Sequence, residues 1–264
     1  MIIIGEKING TLPHVRRAIE DKNDKFIRKL AIDQAEAGAD YLDICAGTPE
    51  EIEAVTLKWL MDIVQQEVNN PLCIDSPNPD VFKRIIDFAK RPGIINSVSG
   101  EINKDATIYP LISGTDWKVI ALTCDEEGIP ADTQKRVIIA KKLVEKALVY
   151  KIKIDDIFID PLVLSLSTNQ DSLLTYLETM TEIKKIYPGL KVTSGLSNIS
   201  FGMPLRRLIN QQFLTIALFE GMDSAIMDPC DRNLIATIYT TQALKGNDNY
   251  CRKFLNAYRQ KLSL

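Results

Sequence analysis

The stretch Pro71-Leu72-Cys73-Ile74-Asp75-Ser76 shows a pattern that recurs along the whole chain: a short apolar run that ends on a polar side chain. Eight such runs occur, and each is too short for a buried helix. They cover residues 2–4, 41–44, 72–74, 94–95, 119–122, 157–159, 190–192 and 224–227. Nearly continuous apolar runs of this length are typical of parallel strands that are covered on both faces.

Helical stretches with an apolar face separate these runs. They cover residues 24–37, 49–68, 79–90, 132–150, 171–187, 204–219 and 233–244. The segment near residues 105–112 is less clear because Pro110 and Gly114 interrupt it. Residues 247–264 predict one extra helix on the outside of the barrel, amphipathic through four side chains: Tyr250, Phe254, Leu255 and Tyr258.

The alternation of eight strands with helices predicts an α/β fold, a (β/α)8 TIM barrel with an additional C-terminal helix. The length of 264 residues suits one barrel domain over residues 1–264. A doubly wound open sheet is the alternative, but it more often carries a glycine-rich phosphate loop after its first strand. Residues 5–10, GEKING, do not match G-x-G-x-x-G, so we favour the barrel.

Composition excludes several classes of function. The net charge of −3 gives no field to hold DNA or RNA. His14 is the single histidine, which disfavours His-based zinc sites and Ser-His-Asp triads. The five cysteines form no C-x-x-C pair, as expected of reduced thiols. The apolar start is too short for a signal peptide and no run reaches a membrane span, so we expect a cytoplasmic protein without a membrane partner.

Polar side chains follow the predicted strands with unusual regularity. In chain order they are Glu6, Asn9, Asp43, Asp75, Asn96, Thr123, Cys124, Asp160, Ser194, Asn198 and Asp228. Each one alone is equally well explained as a cap or turn residue, but together they converge on the C-terminal mouth of a barrel, where barrel enzymes place their sites. The four aspartates suit Mg²⁺ or Mn²⁺, and the whole set also suits a flat, nitrogen-rich heterocycle such as a pterin.

Six stretches identify a more specific likeness. They are residues 4–9 (IGEKIN), 40–44 (DYLDI), 71–76 (PLCIDS), 95–98 (INSV), 158–162 (FIDPL) and 194–202 (SGLSNISFG). Because these stretches occur in this order, each at its own strand end, the chain resembles the methyltetrahydrofolate:corrinoid methyltransferases, which are pterin-binding TIM barrels. The resemblance covers essentially the whole chain, and the stretch 194–202 is the most specific.

The resemblance implies roles for four residues. In that family the residues that match Asp75, Asn96 and Asp160 bind the polar edge of the pterin, and the residue that matches Asn198 reaches N5. An amide can donate and accept hydrogen bonds, so Asn198 can follow a nitrogen whose protonation changes. We therefore expect Asn198 and Asp160 to be catalytic, with N5 activated through an Asn/Asp hydrogen-bond network and water.

Six further residues are candidate accessory site residues: Glu6, Asn9, Asp43, Ser194, Arg206 and Arg207. The two arginines could meet the glutamate tail of folate, and a role on the helix face is at least as good an account of them. His14 is expected in a solvent-exposed loop near the barrel mouth.

The resemblance also implies substrates and partners. Tetrahydrofolate or methyltetrahydrofolate is the substrate, and the cobalamin or other corrinoid belongs to a partner protein, because the D-x-H-x-x-G cobalt-ligating motif is missing. No bound metal is expected in this chain. The family further implies a homodimer and the one-carbon metabolism of anaerobes, while the direction of methyl transfer stays undetermined.

Three alternatives remain. A dihydropteroate synthase would share the pocket, but the N-x-T-P-D-S-F-like and R-x-H-like stretches of that family are absent, the corresponding segments being residues 9–13 (NGTLP) and 227–231 (MDPCD). A non-catalytic folate-binding barrel would bind methyltetrahydrofolate without transferring the methyl group. A metal-dependent aldolase or hydrolase would lose activity in a chelator.

Overall fold

Eight parallel strands form a barrel in the computed structural model, which describes residues 1–259. The strands are β1 (Ile2–Asn9), β2 (Tyr41–Cys45), β3 (Leu72–Asp75), β4 (Ile94–Ser99), β5 (Lys118–Leu122), β6 (Ile157–Asp160), β7 (Lys191–Val192) and β8 (Ser224–Met227). From β1 to β7 each strand pairs with the next one along the chain, and β1 also pairs with β8. The amide of Ile226 donates to the carbonyl of Ser194 over 2.9 Å, which joins the segment after β7 to β8 and closes the barrel.

Helices follow the strands and cover the outside of the barrel. They are α1 (Pro13–Glu20), α2 (Asp24–Glu36), α3 (Glu50–Glu67), α4 (Pro79–Ile85), α5 (Lys104–Ile112), α6 (Thr133–Val149), α7 (Ser172–Ile186), α8 (Arg206–Glu220), α9 (Arg232–Leu244) and α10 (Arg252–Arg259). The predicted (β/α)8 barrel with an additional C-terminal helix is therefore confirmed. Within residues 1–259, every helix falls short of the length or the apolar character that crossing a membrane requires.

The barrel interior contains a layer of fully buried apolar side chains from five strands, against which partly buried apolar side chains pack. The layer consists of Ile4, Cys73, Ile94, Ile120 and Phe158, all fully buried. Because side chains alternate along a strand, the next inward position lies two residues later, at the C-terminal end. On β3, β4 and β6 these positions are Asp75, Asn96 and Asp160, so the sequence places polar groups directly above a packed apolar layer.

Two β-bulges interrupt this alternation, and both lie at the C-terminal half of a strand. In β1, Gly5 pairs with Leu42 while Ile8 pairs with Ile44, so β1 has one residue more than β2. Ile4 consequently faces the barrel interior, whereas Ile8 packs in the outer core between strands and helices. A bulge redirects side chains locally and is common beside functional sites.

The bulge in β4 lies between Asn96 and Val98. Ile94 faces the interior and Val98 faces the outer core, although simple alternation would place them on the same face. The Asn96–Ser97 peptide bond inside this bulge is cis.

Two local predictions are wrong, and the segment that the sequence left unclear forms a helix. Residues 13–20 form α1, so His14 lies on an exposed helix and not in a loop. Helix α5 forms in spite of Pro110, because its buried side chains Ile108 and Tyr109 pack into the outer core and tertiary packing overrides propensity. At the end of β1 the strand continues to Asn9, five residues beyond the predicted run 2–4.

The tail does not form one helix over residues 247–264. Tyr250 and Cys251 have φ values of 55° and 53°, which break the helical path, and α10 starts at Arg252. The carboxylate of Asp248 accepts hydrogen bonds from the amides of Lys253 (3.0 Å) and Phe254 (2.9 Å), and so caps this helix. Residues 260–264 of the predicted helix lie outside the described part of the chain.

Candidate functional site

Three polar residues from neighbouring strands meet on one side of the barrel mouth. Asn96 Nδ2 donates to Oδ1 of Asp43 over 3.2 Å, and Asp75 lies on the strand between them. Asp43 and Asn96 are buried, with 3% and 8% exposure, whereas Asp75 is half-buried at the edge of the mouth. This cluster presents a carboxylate and an amide to any molecule that lies over the barrel axis.

The two aspartates of this cluster have different proton affinities. Burial, together with the negative charge of Asp75, raises the pKa of Asp43 well above its usual range. Burial and the charge of Glu53 raise the pKa of Asp75 to about 6, against the hydrogen bond from the Cys45 thiol. Burial therefore favours the protonated form of Asp43, whereas Asp75, with a pKa of about 6, is mostly ionised at neutral pH and accepts hydrogen bonds.

Asp160 stands at the end of β6, and its surroundings fix its orientation. Its Oδ1 accepts the amide hydrogen of Leu162 over 2.8 Å, and it also accepts a hydrogen bond from the amide of Gly195. Burial raises the pKa of Asp160 to about 6, while these two amides and the charge of Arg136 oppose the increase. Asp160 is thus a second buried carboxylate that is ionised at neutral pH.

Arg136 holds the loop that surrounds Asp160. It is fully buried on α6, and its Nε donates to the carbonyl of Pro130 over 2.8 Å. Its Nη1 donates to the carbonyls of Pro161 and Leu162, each over 2.8 Å. The guanidinium thereby links the loop before α6 to the loop after β6, and it places a positive charge beside Asp160.

Asn198 lies in a short 3-10 turn, Leu196–Ser200, that follows β7. Its side chain is exposed and rests against Gly195, where an added methyl group would lie 2.9 Å from Asn198 Nδ2. Within residues 1–259 the Asn198 amide makes no side-chain hydrogen bond, so its donor and its acceptor are both available at the mouth.

Neighbouring residues hold this turn in place. Ser197 Oγ donates to the carboxylate of Glu6, at 3.1 Å and 3.2 Å from its two oxygens. Arg206 donates from Nη2 to the carbonyl of Ser197 and from Nε to the hydroxyl of Ser200, each over 3.1 Å. Arg206 therefore braces the Asn198 turn from α8.

An ion pair lies between β1 and β8 at the same mouth. Lys7 Nζ is 2.8 Å from Asp228 Oδ2, and both side chains are partly exposed. Asp228 Oδ1 also accepts the amide hydrogen of Cys230 over 2.9 Å. Asp228 is thus committed to a lysine and to its own loop, and within residues 1–259 no group of three His, Cys, Asp or Glu side chains is arranged to hold a metal ion.

Three predicted accessory residues lie apart from this cluster. Asn9 Oδ1 accepts from the amide (2.9 Å) and the hydroxyl (2.7 Å) of Thr11, so Asn9 shapes its own loop. Ser194 is fully buried, with its side chain beside Tyr176 of α7, on the outer side of the barrel wall. Arg207 is exposed on α8.

Two thiols and one arginine at the site are not among the residues predicted from the sequence. Cys45 donates to Asp75, and Cys73 donates to Asp43 from within the barrel. Each thiol lies two residues from an aspartate of its own strand, and side chains at this spacing point to the same face of a strand. The spacing is therefore the sequence signal that places the two thiols beside the aspartates. Arg136 occupies a position in the buried stripe of α6, whose other members are apolar. A charged residue at such a position is the sequence signal for a buried charge.

Comparisons with known proteins agree with this geometry. The family model described as "Pterin binding enzyme" matches residues 8–228. A methylcorrinoid:tetrahydrofolate methyltransferase of Eubacterium limosum is 52% identical over 262 residues, which cover 98% of this chain and 97% of that protein. A methionine synthase of Mycobacterium tuberculosis is 29% identical over 240 residues, 86% of this chain but only 20% of that larger enzyme.

Solved structures share the fold at low sequence identity. The dihydropteroate synthase of Xanthomonas albilineans in complex with 7,8-dihydropteroate has a TM-score of 0.67 and 19% identity, with 92% of each chain covered. The Yersinia pestis dihydropteroate synthase has a TM-score of 0.66 and 14% identity, with 93% of this chain and 94% of that chain covered. These likenesses concern the barrel alone, whereas the family match and the near full-length relative fix the assignment: the chain belongs to the pterin-binding enzymes, in the family of folate–corrinoid methyltransferases.

Proposed function

We propose that this enzyme transfers a methyl group between the cobalt of a corrinoid, carried by a partner protein, and N5 of tetrahydrofolate. The observation that carries the proposal is the arrangement of Asp75, Asn96 and Asp160 around one barrel mouth, beside the unengaged amide of Asn198. The Eubacterium limosum relative is named for transfer from the methylcorrinoid to tetrahydrofolate, and we propose the same direction here.

The pterin ring would lie across the mouth with its polar edge toward β3, β4 and β6. That edge presents N–H and amino donors, which suit the ionised carboxylates of Asp75 and Asp160. Asn96 is held by Asp43 and adds an amide that donates and accepts. The apolar layer below, which includes Ile94 and Phe158, excludes water from the underside of the ring.

The methyl transfer needs little covalent chemistry from the protein. The N5 lone pair of tetrahydrofolate attacks the methyl carbon, the cobalt–carbon electron pair stays on the metal, and N5 gains a positive charge that it loses as a proton. In the reverse direction N5 must be protonated before it can leave. Asn198 would accept a hydrogen bond from N5–H and donate one to the bare nitrogen, so it can stay in contact through both states.

The corrinoid is a substrate that a second protein would present at this mouth. The only histidine of the chain, His14, lies exposed on α1, and its ring stacks edge-on against Phe26 with 6.1 Å between centroids. A corrinoid-carrying protein as partner therefore supplies the cobalt, while the folate is a freely diffusing substrate.

We also propose that the enzyme is a homodimer that pairs through α8. The exposed face of this helix carries an apolar stripe formed by Leu205, Leu208, Ile216 and Phe219, which are 75%, 52%, 38% and 51% exposed. Two copies packed antiparallel about a two-fold axis would bury the stripe of each helix against that of its partner.

A spectroscopic assay tests the proposed activity. The protein is mixed with tetrahydrofolate and free methylcobalamin under anaerobic conditions, and the cobalt spectrum and methyltetrahydrofolate are followed together. We expect cob(I)alamin and methyltetrahydrofolate to form in equal amounts. Binding of tetrahydrofolate without transfer would indicate a non-catalytic folate-binding barrel, and condensation of a hydroxymethylpterin pyrophosphate with p-aminobenzoate would indicate a dihydropteroate synthase.

A further inference from the structure

Glu6 lies at the barrel mouth, and it takes no part in the proposed pterin binding or in the proposed contact of Asn198 with N5. It lies in the bulge of β1, two residues after Ile4 of the interior layer, and the bulge turns the strand between Gly5 and Ile8. The amide of Lys7 leaves the sheet and donates to Gln34 Oε1 of α2 over 2.9 Å, which holds the bulge from outside. Glu6 is therefore fixed with its half-buried carboxylate at the mouth.

The carboxylate of Glu6 contacts the turn that carries Asn198. Ser197 Oγ lies 3.1 Å and 3.2 Å from the two oxygens of Glu6, and Ser197 immediately precedes Asn198 in the chain. Arg206 fixes the same turn through the Ser197 carbonyl. Glu6 thus stands beside the turn that carries Asn198, where the proposed function places N5.

Glu6 also has the proton affinity of a group that exchanges protons near neutral pH. Burial raises the pKa of Glu6 to about 7, with Asp228 adding to the increase, while Ser197, Lys7 and Arg206 oppose it. Asp43 of β2 also interacts with Glu6, and burial raises the pKa of Asp43 well above its usual range. Lys7 is held by Asp228 at 2.8 Å, so its charge compensates Asp228 first and Glu6 only weakly.

The other polar groups around Asn198 suit the exchange less well. An amide such as Asn198 carries no titrating proton, and an acid–base group works best with a pKa near the operating pH. Asp160 is held by the amides of Leu162 and Gly195 and by the charge of Arg136, which keep it ionised as a hydrogen-bond acceptor. Asp228 is committed to Lys7.

We infer that Glu6 is the acid–base group of the reaction: it takes the proton from N5 as tetrahydrofolate accepts the methyl group, and it returns that proton in the reverse direction. In the forward step the N5–carbon bond forms, the carbon–cobalt bond breaks with its electron pair left on the metal, and the N5 proton ends on a Glu6 oxygen. The inference rests on the proposed methyl transfer and adds the destination of the proton.

The test measures single-turnover methyl transfer from methylcobalamin to bound tetrahydrofolate against pH, in Glu6→Gln, Glu6→Asp and Asp160→Asn. Glu6→Gln keeps an acceptor for Ser197, so we expect tetrahydrofolate affinity within about threefold of wild type and a rate about 10²–10⁴-fold lower, without the pH limb near 7. Glu6→Asp should recover part of the rate. Glu182→Gln, an exposed carboxylate of α7 paired with Lys185, is the matched control and should behave as wild type.

Two results would overturn the inference. One is a Glu6→Gln enzyme that keeps the wild-type rate and pH limb, and the other is loss of that limb in Asp160→Asn alone, which would place the proton on Asp160. A parallel loss of rate and of tetrahydrofolate affinity in Glu6→Gln would also contradict it, since Glu6 would then be a binding residue. If wild-type enzyme transfers no methyl group, the proposed function itself fails, and this outcome is distinct from a failure confined to Glu6.

Discussion

The side chains of Asn96 and Asp43 are joined by a 3.2 Å hydrogen bond that spans β3, the strand that carries Asp75. Burial raises the pKa of Asp43 well above its usual range, so we expect a neutral carboxyl group whose carbonyl oxygen accepts from Asn96 and whose hydroxyl is a donor. We expect Asp43→Asn to bind tetrahydrofolate nearly as well as wild type, and Asp43→Ala to bind about 5- to 100-fold more weakly because Asn96 loses its partner.

Fluorescence titration of tetrahydrofolate against both variants measures this difference. Thermal unfolding of each variant is the control for folding. Equal and severe loss of affinity in Asp43→Asn and Asp43→Ala would mean that an ionised Asp43 is required, contrary to the protonation described here.

Folate binding should weaken as the pH falls through about 6. Burial raises the pKa of both Asp75 and Asp160 to about 6, and each must be ionised to accept hydrogen bonds from the pterin edge. Protonation below this pH removes the acceptor, so binding releases protons there, and affinity falls up to about tenfold per pH unit for each group.

The dissociation constant of tetrahydrofolate, measured between pH 5 and 8, tests the sign and position of this effect. Asp75→Asn should lower the affinity at pH 7.5 and flatten the acid limb. An affinity that rises on acidification would show that a protonated carboxyl binds the pterin.

Arg136 should affect two quantities through different interactions: the free energy of unfolding through its hydrogen bonds, and the pKa of Asp160 through its charge. Arg136→Met leaves the carbonyls of Pro130, Pro161 and Leu162 without their donor, so we expect the free energy of unfolding to fall by about 3 kcal/mol. Loss of the positive charge also raises the pKa of Asp160, and the midpoint for folate binding should move to higher pH.

Arg136→Lys separates the two effects, because lysine keeps the charge and has fewer donors in a suitable geometry. We expect this variant to lose part of the stability and to keep the midpoint close to that of wild type. Urea denaturation and the pH series described for Asp75 measure both quantities. An unchanged midpoint in Arg136→Met would contradict the electrostatic role.

The polar residues at the strand ends could be predicted from the sequence, because one two-residue alternation of side chains along a strand determines both the barrel interior and the site above it. Apolar runs identify the strands, and the residue two positions beyond an inward side chain is inward again, which is why Asp75, Asn96 and Asp160 lie at the mouth. The two bulges were not predictable, since no composition signal marks the extra residue in β1 or β4. Simple alternation would put Ile4 and Ile8 on one face, whereas they lie on opposite faces.

The partners of the site residues depend on long-range packing and could not be derived from local patterns. Ser197 and Glu6 are 191 positions apart in sequence, and nothing in either segment indicates their contact. Arg206 is only nine positions from Ser197, yet its sequence context does not show that its guanidinium holds the Ser197 carbonyl. Such contacts follow from closure of the barrel between its first and last strands.

The α8 stripe makes a prediction about assembly. Replacing Leu208 or Phe219 with glutamate places a charge in the proposed interface, so we expect monomers at concentrations where wild type is dimeric, with an unchanged far-UV spectrum. Val149→Glu, at a 78% exposed apolar residue on the distant α6, is the control and should leave the mass unchanged. Sedimentation equilibrium reads the mass directly, and a dimer that persists in both α8 variants would place the interface elsewhere.

Asn198 should matter for the rate more than for binding. Its amide is exposed and unengaged in the free protein, while the pterin edge is expected to bind Asp75, Asn96 and Asp160. Asn198→Ala removes the group that stays with N5 as its charge changes, so we expect single-turnover methyl transfer to slow by about 10²-fold with less than about fivefold change in tetrahydrofolate affinity. Asn198→Asp keeps the acceptor for N5–H and loses the donor to the bare N5 of methyltetrahydrofolate, so we expect it to weaken binding of methyltetrahydrofolate more than binding of tetrahydrofolate. Rates and folate affinities in both directions, measured with methylcobalamin and with cob(I)alamin, separate these contributions, and an Asn198→Ala enzyme that transfers methyl at the wild-type rate while still binding the pterin would contradict the role assigned to this amide.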